Sequence, residues 1–149
     1  MKAMREILFR GKRIDNGEWV EGFLLKECNY HTCSWNLAIE YKTRRGGKYA
    51  YRVAEINPDT VGQFTGLTDK IGKKIFEGDI VRILGNQSVD DWKDVDYTAL
   101  IAFLDGGFCA IDGTVEEHGF RRYALARMDF SLEIIGNIHD NPELLEGEQ

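Results

Sequence analysis

Cys28, His31 and Cys33 place three soft or borderline metal ligands within a six-residue stretch. A structural zinc site takes four such ligands in tetrahedral geometry. The fourth would come from Cys109, His118 or His139, because the chain holds no second paired cluster. The plainer reading of the same stretch is a polar loop carrying two thiols.

Hydrolytic chemistry has three further candidates. His118 follows Glu116-Glu117, and His139 precedes Asp140. Each couples an imidazole to a carboxylate, as general acid–base chemistry requires. Cys109 with a distant histidine would make a nucleophile and its base. None of these sits in a catalytic motif, and a histidine beside an acid is ordinary on a protein surface. There is no phosphate-binding loop and no dinucleotide fingerprint. Gly106-Gly107 reads as a turn. The chain therefore reads as non-enzymatic, with no cofactor.

A basic stretch offers binding instead of catalysis. Residues 41–52 (Tyr-Lys-Thr-Arg-Arg-Gly-Gly-Lys-Tyr-Ala-Tyr-Arg) contain five cations, Lys42, Arg44, Arg45, Lys48 and Arg52, and no acid. The whole chain carries a formal charge of -6, so the other 137 residues carry -11. A basic ribbon flanked by tyrosines suits a phosphate backbone and its bases. One pattern opposes this. Trp35, Leu37, Ile39 and Tyr41 alternate onto one face. Carried across the loop, that alternation puts Tyr49 and Tyr51 on the same core-facing side and leaves the cations merely solvated.

An acidic segment offers a third surface. Residues 85–96 read as a loop, with Asp90, Asp91, Trp92 and Asp94 as partner-binding candidates. Such a loop would complement the basic stretch across a subunit interface, setting register and on-rate more than affinity. Trp92 would be its aromatic anchor, or would pack onto the loop's own base. The partner implied is a second copy of the chain or another protein.

These residues need strands to hold them. Met4–Arg10 reads as a first strand, and Asp15-Asn16-Gly17 as a hairpin turn. Glu18–Lys26 follows as a second strand. Residues 35–41 and 48–56 read as a hairpin around a basic loop. Thr60–Thr65 and Ile80–Leu84 are further strands, the latter launched from a Gly78-Asp79 corner. Tyr97–Leu104 is apolar on both faces, which predicts a central strand. Phe108–Ile111 returns from it. Residues 114–128 fit a strand or a helix carrying Arg121 and Arg122. Ser131–Ile138 alternates again. Asn141-Pro142 then opens a short helix, with Asn as N-cap and Pro at the first helical position. The expected fold is all-β with a short C-terminal helix, built as a small barrel or as packed antiparallel sheets with SH3-like corners.

The bulk properties agree with that picture. A chain of 149 residues, 43% hydrophobic and 30% charged, suits one globular domain that folds without disulfides. The acidic balance argues against general nucleic-acid binding. Three cysteines and the lack of an apolar leader fit the cytoplasm. No apolar run approaches the length of a membrane helix.

Two blocks carry a family resemblance. The first runs from Gln63-Phe64-Thr65-Gly66-Leu67-Thr68-Asp69-Lys70 through Ile75-Phe76-Glu77-Gly78-Asp79-Ile80-Val81. The second is Glu133-Ile134-Ile135-Gly136-Asn137-Ile138-His139-Asp140-Asn141-Pro142-Glu143-Leu144-Leu145. With the opening Met4–Arg10, they resemble YopX-type phage and prophage proteins. The resemblance implies a phage or prophage origin and a β-rich fold; with the cytoplasmic reading above, the expected setting is a bacterial host cell, with host or phage proteins as candidate partners. It brings no catalytic residues, and it carries nothing over for residues 27–56 and 85–130.

Overall fold

The computed structural model describes residues 4–84, 96–112, 121–125 and 131–146. Among the described residues eleven strands run in order: β1 (Phe9–Lys12), β2 (Trp19–Asn29), β3 (Ser34–Arg45), β4 (Lys48–Glu55), β5 (Gly62–Thr68), β6 (Lys74–Phe76), β7 (Asp79–Leu84), β8 (Asp96–Leu104), β9 (Gly107–Asp112), β10 (Arg121–Ala124) and β11 (Ser131–Asn137). The chain divides into two compact units, 1–64 and 65–149, with the boundary inside β5. Among the described residues no helix is long and apolar enough to cross a membrane.

The first unit holds β4, β3, β2, β1 and the start of β5, neighbours in that order in a six-stranded antiparallel sheet whose last strand is β6. Ile39, Ala54 and Ile56 are buried in it. Two strands approach closely here. A Cβ on Gly22 would lie 1.9 Å from the Glu40 carbonyl oxygen, and one on Gly11 would lie 2.7 Å from Ile56 Cδ1. At Gly22 the crowding atom is backbone, so only glycine admits the packing there. The end of β1 nearly meets the end of β4. Arg13 and Ile56 form a single bridge, and the Asn57 N–H donates to the Lys12 carbonyl at 2.8 Å. A lone bridge is not a ladder, so the sheet stays open; of the two architectures expected, the antiparallel sheets are found and the closed barrel is not.

The second unit holds the five-stranded antiparallel sheet β10-β9-β8-β7-β11. β8 lies in the middle, as its two apolar faces predict. Its core gathers Ile75, Val81, Ile83, Ala99, Ile101, Ala110, Leu125 and Leu132. The corner before β7 is held by Asp79, whose carboxylate accepts the Phe76 N–H at 2.8 Å.

Several boundaries move. The first strand begins at Phe9, not Met4, because β2 and β5 flank the chain only from there. Residues 58–60 form a 3-10 turn, so the next strand starts at Gly62. Of the ambiguous stretch 114–128, residues 121–124 form a strand, and 114–120 and 126–128 lie outside the described residues. The C-terminal helix is one 3-10 turn, Pro142–Leu145. Asn141 holds its N-cap position with Pro142 in the first turn, as expected, but its side chain makes no cap bond. That side chain turns back and accepts the Asn137 N–H at 3.4 Å.

Candidate nucleic-acid interface

β3 is longer than either neighbour's ladder. It pairs with β2 from Phe23↔Glu40 to Asn29↔Ser34, and with β4 from Ala38↔Glu55 to Arg45↔Lys48. Only its middle has partners on both sides. Each end therefore continues as a two-stranded ribbon. The ribbon from Tyr41↔Arg52 to Arg45↔Lys48 is five pairs long, about 17 Å at ~3.3 Å per residue.

This ribbon is the basic stretch. Gly46 and Gly47 close it with φ of 57° and 79°. Two successive positive φ angles make a type I′ turn, whose twist matches the strands it joins. A two-residue turn also fixes the register. Tyr49 stands opposite Arg44, and Tyr51 stands opposite Lys42. Directly opposed residues in an antiparallel pair share a face.

That register overturns the expected placing of the tyrosines. Tyr49 and Tyr51 share a face with Lys42 and Arg44, and Ile39 and Tyr41 occupy the other. Tyr49 is 62% exposed and Tyr51 is 63% exposed. The physical reason is the reversal of the chain. Alternation counted straight through a turn takes no account of how the returning strand pairs. The Gly46-Gly47 pair is the sequence signal that gives the right face.

Cations lie on both faces of the ribbon. Lys42 and Arg44 are on the tyrosine face, and Arg45, Lys48 and Arg52 are on the opposite one. All five are exposed. Among the described residues none of the five enters an ion pair. The Lys42 Nζ sits 3.8 Å from the Tyr49 ring centroid, and the Arg44 guanidinium carbon sits 5.7 Å from it. At the ribbon's root, Arg13 Nη1 donates to the Tyr41 hydroxyl at 3.3 Å. A cation over an aromatic face is attracted by the ring quadrupole, so these contacts hold the cations extended along the ribbon.

The division of the chain also divides its charge. Residues 1–64 hold eleven Lys and Arg against eight Asp and Glu, a formal +3. Residues 65–149 hold eight against seventeen, a formal -9. The acidic total therefore does not describe the unit that bears the ribbon.

The other candidates fare differently. Cys28, His31 and Cys33 lie on and beside the turn of the second ribbon, where Cys28 pairs with Trp35. The Asn29 side chain shapes that turn by accepting the His31 and Thr32 N–H groups at 3.0 and 3.3 Å. Among the described residues no three His, Cys, Asp or Glu side chains converge to hold a metal ion. Cys109 is 3% exposed within β9. His139 and Asp140 belong to a turn in which both their N–H groups donate to the Asn137 side-chain oxygen at 3.0 Å. Asp140 also accepts from Asn137 Nδ2 at 3.0 Å. Glu116, Glu117 and His118 lie outside the described residues, as do Asp90, Asp91, Trp92 and Asp94.

The model of the YopX protein family matches residues 8–146. The chain belongs to the YopX family. No curated protein matches it. Among solved structures it is similar to the crystal structure of protein EF1440 from Enterococcus faecalis. That likeness has 25% sequence identity and a TM-score of 0.47, and it covers 95% of this chain and 99% of that one. YopX membership thus rests on the family match, which takes in both blocks that carried the resemblance.

Proposed function

We propose that this YopX-family chain is a phage or prophage accessory protein of the host cytoplasm that works by contact, and that its contact is with nucleic acid. The observation behind this reading is the basic ribbon between Tyr41 and Arg52. It stands clear of β2, shows cations on both faces, and pairs two of them with exposed tyrosines. Lys and Arg gain affinity for a polyanion chiefly by releasing its counterions.

The test is binding to single- and double-stranded DNA and RNA across a salt series, using the whole chain and the Arg44→Ala/Arg45→Ala variant. Affinity should fall steeply with salt. On single strands the slope of log affinity against log salt should be shallower by about 1.4 in the variant, at ~0.7 for each phosphate no longer neutralised. An absence of binding at low salt would remove the reading.

The charge division favours one second reading, self-association. The +3 and -9 portions of two copies are complementary, and the acidic segment with Asp90, Asp91, Trp92 and Asp94 would face the ribbon. A solution mass that rises with concentration and collapses with salt would support it.

A further inference from the structure

We infer that the ribbon's tyrosine face takes an unpaired base, so that its ligand is single-stranded nucleic acid and not a duplex. This rests on the nucleic-acid reading above and sharpens it.

Three features of the ribbon point the same way. The first is the type of group exposed. Tyr49 and Tyr51 present aromatic faces to solvent at 62% and 63% exposure. A duplex buries its base faces in its own stack and offers only base edges in its grooves. A single strand offers the base faces themselves, and stacking on aromatic side chains is the usual way to take them.

The second is spacing. Tyr49 and Tyr51 are two residues apart on β4 and share a face. Their Cα atoms are therefore about 6.6 Å apart, close to twice the ~3.4 Å rise between stacked bases. Two rings held parallel at that spacing would admit one base plane between them.

The third is an asymmetry between the rings. Tyr49 is covered by Lys42, with Nζ 3.8 Å from the ring centroid. Tyr51 has no ring contact among the described residues. Tyr51 is thus the open platform, and Tyr49 is occupied by a cation that a base would displace. Lys42 sits directly across from Tyr51. Once displaced, its ammonium lies within reach of the phosphate joined to the stacked nucleotide. The arriving strand exchanges a cation–π contact for a stacking contact and an ion pair.

The experiment uses the whole chain with a fluorescent twelve-nucleotide single strand, the same strand with abasic sites, and the corresponding duplex. It compares wild type, Tyr49→Ala/Tyr51→Ala, Tyr49→Phe/Tyr51→Phe and Arg44→Ala/Arg45→Ala. The expected result is tighter binding to the single strand than to either the duplex or the abasic strand. The alanine pair should lose about 5-fold to 150-fold per stacked base, with its salt slope unchanged. The phenylalanine pair should keep the affinity, because the ring is what stacks. Equal binding of duplex and single strand, or an alanine pair that binds like wild type, overturns the inference. If Arg44→Ala/Arg45→Ala still loses affinity in that case, the nucleic-acid reading stands without it. If no strand binds at all, both fall.

Discussion

The Asp69 carboxylate accepts the backbone N–H of Ile134 at 3.4 Å, tying a tight turn to β11 65 residues further on. Its other oxygen accepts the N–H groups of Ile71 and Lys73 at 3.0 and 2.9 Å. The Lys70 N–H donates to the Leu132 carbonyl at 2.8 Å, and the Lys70 ammonium lies 3.2 Å from Glu133. One buried side chain thus shapes a turn and docks it.

Asp69→Ala removes the acceptor of three N–H groups. The variant should lose about 1–3 kcal/mol, the usual cost of leaving a buried polar group unsatisfied. Urea unfolding would show this as a lower midpoint with unchanged slope. Asp69→Asn keeps one acceptor oxygen and should lose less.

The same site sets an acid limit. Burial pushes the Asp69 carboxyl upward, but the N–H groups of Lys73, Ile71 and Ile134 and the charge of Lys73 outweigh it, so its pKa lies below the ordinary value. A lowered folded-state pKa gives stability that is complete above the unfolded value of about 3.9 and is lost as pH falls through the folded one. The gap in Tm between wild type and Asp69→Asn should hold from pH 7 to about pH 4 and close below it. A gap that widens on acidification would contradict the assignment.

The ribbon's turn should discriminate sharply between residues. Gly46→Asn keeps a residue that tolerates positive φ in a type I′ turn and should leave stability within about 0.5 kcal/mol of wild type. Gly47→Val puts a β-branched side chain at φ 79° and should cost about 1–2 kcal/mol. Thermal unfolding would measure both. If the ribbon carries the binding, Gly47→Val should also weaken oligonucleotide affinity in fluorescence anisotropy.

Metal should not matter to the Cys28, His31 and Cys33 turn, whose side chains do not converge. Protein passed through a desalting column should retain no stoichiometric zinc, and a chelator should leave its Tm unchanged. One zinc per chain, lost in Cys28→Ser, would show a site formed by rearrangement.

The sequence discloses the strands better than their facing. Apolar character on both alternating faces points to a central strand, and β8 is central in its sheet, although Phe103 and Leu104 at its end are exposed. Asn141-Pro142 marks a helical start, and one 3-10 turn follows; what the sequence does not show is that the Asn141 side chain bonds back to Asn137 beside Gly136 instead of capping that turn. The clearest alternation, Trp35 to Tyr41, is legible within β3. It fails beyond Gly46-Gly47 because a face is a property of the paired register, and the register depends on the turn. Barrel closure is not legible at all. It depends on whether residues near Arg13 and Ile56 pair once or along a ladder, which short apolar patterns do not encode. The basic composition of the ribbon is plain in the sequence, but its exposure is not. That follows from β2 parting from β3 at Phe23, beside a glycine that allows the two backbones their close approach.

The ribbon from Lys42 to Tyr51 contributes little to the buried interior of its unit. Its ten residues are free to vary without cost to the fold behind them, so long as the turn still closes and the root still holds. A graft of a different sequence onto the same root would then change what the protein touches while leaving its core intact. The fold behaves as a handle, and the ribbon as an exchangeable tool.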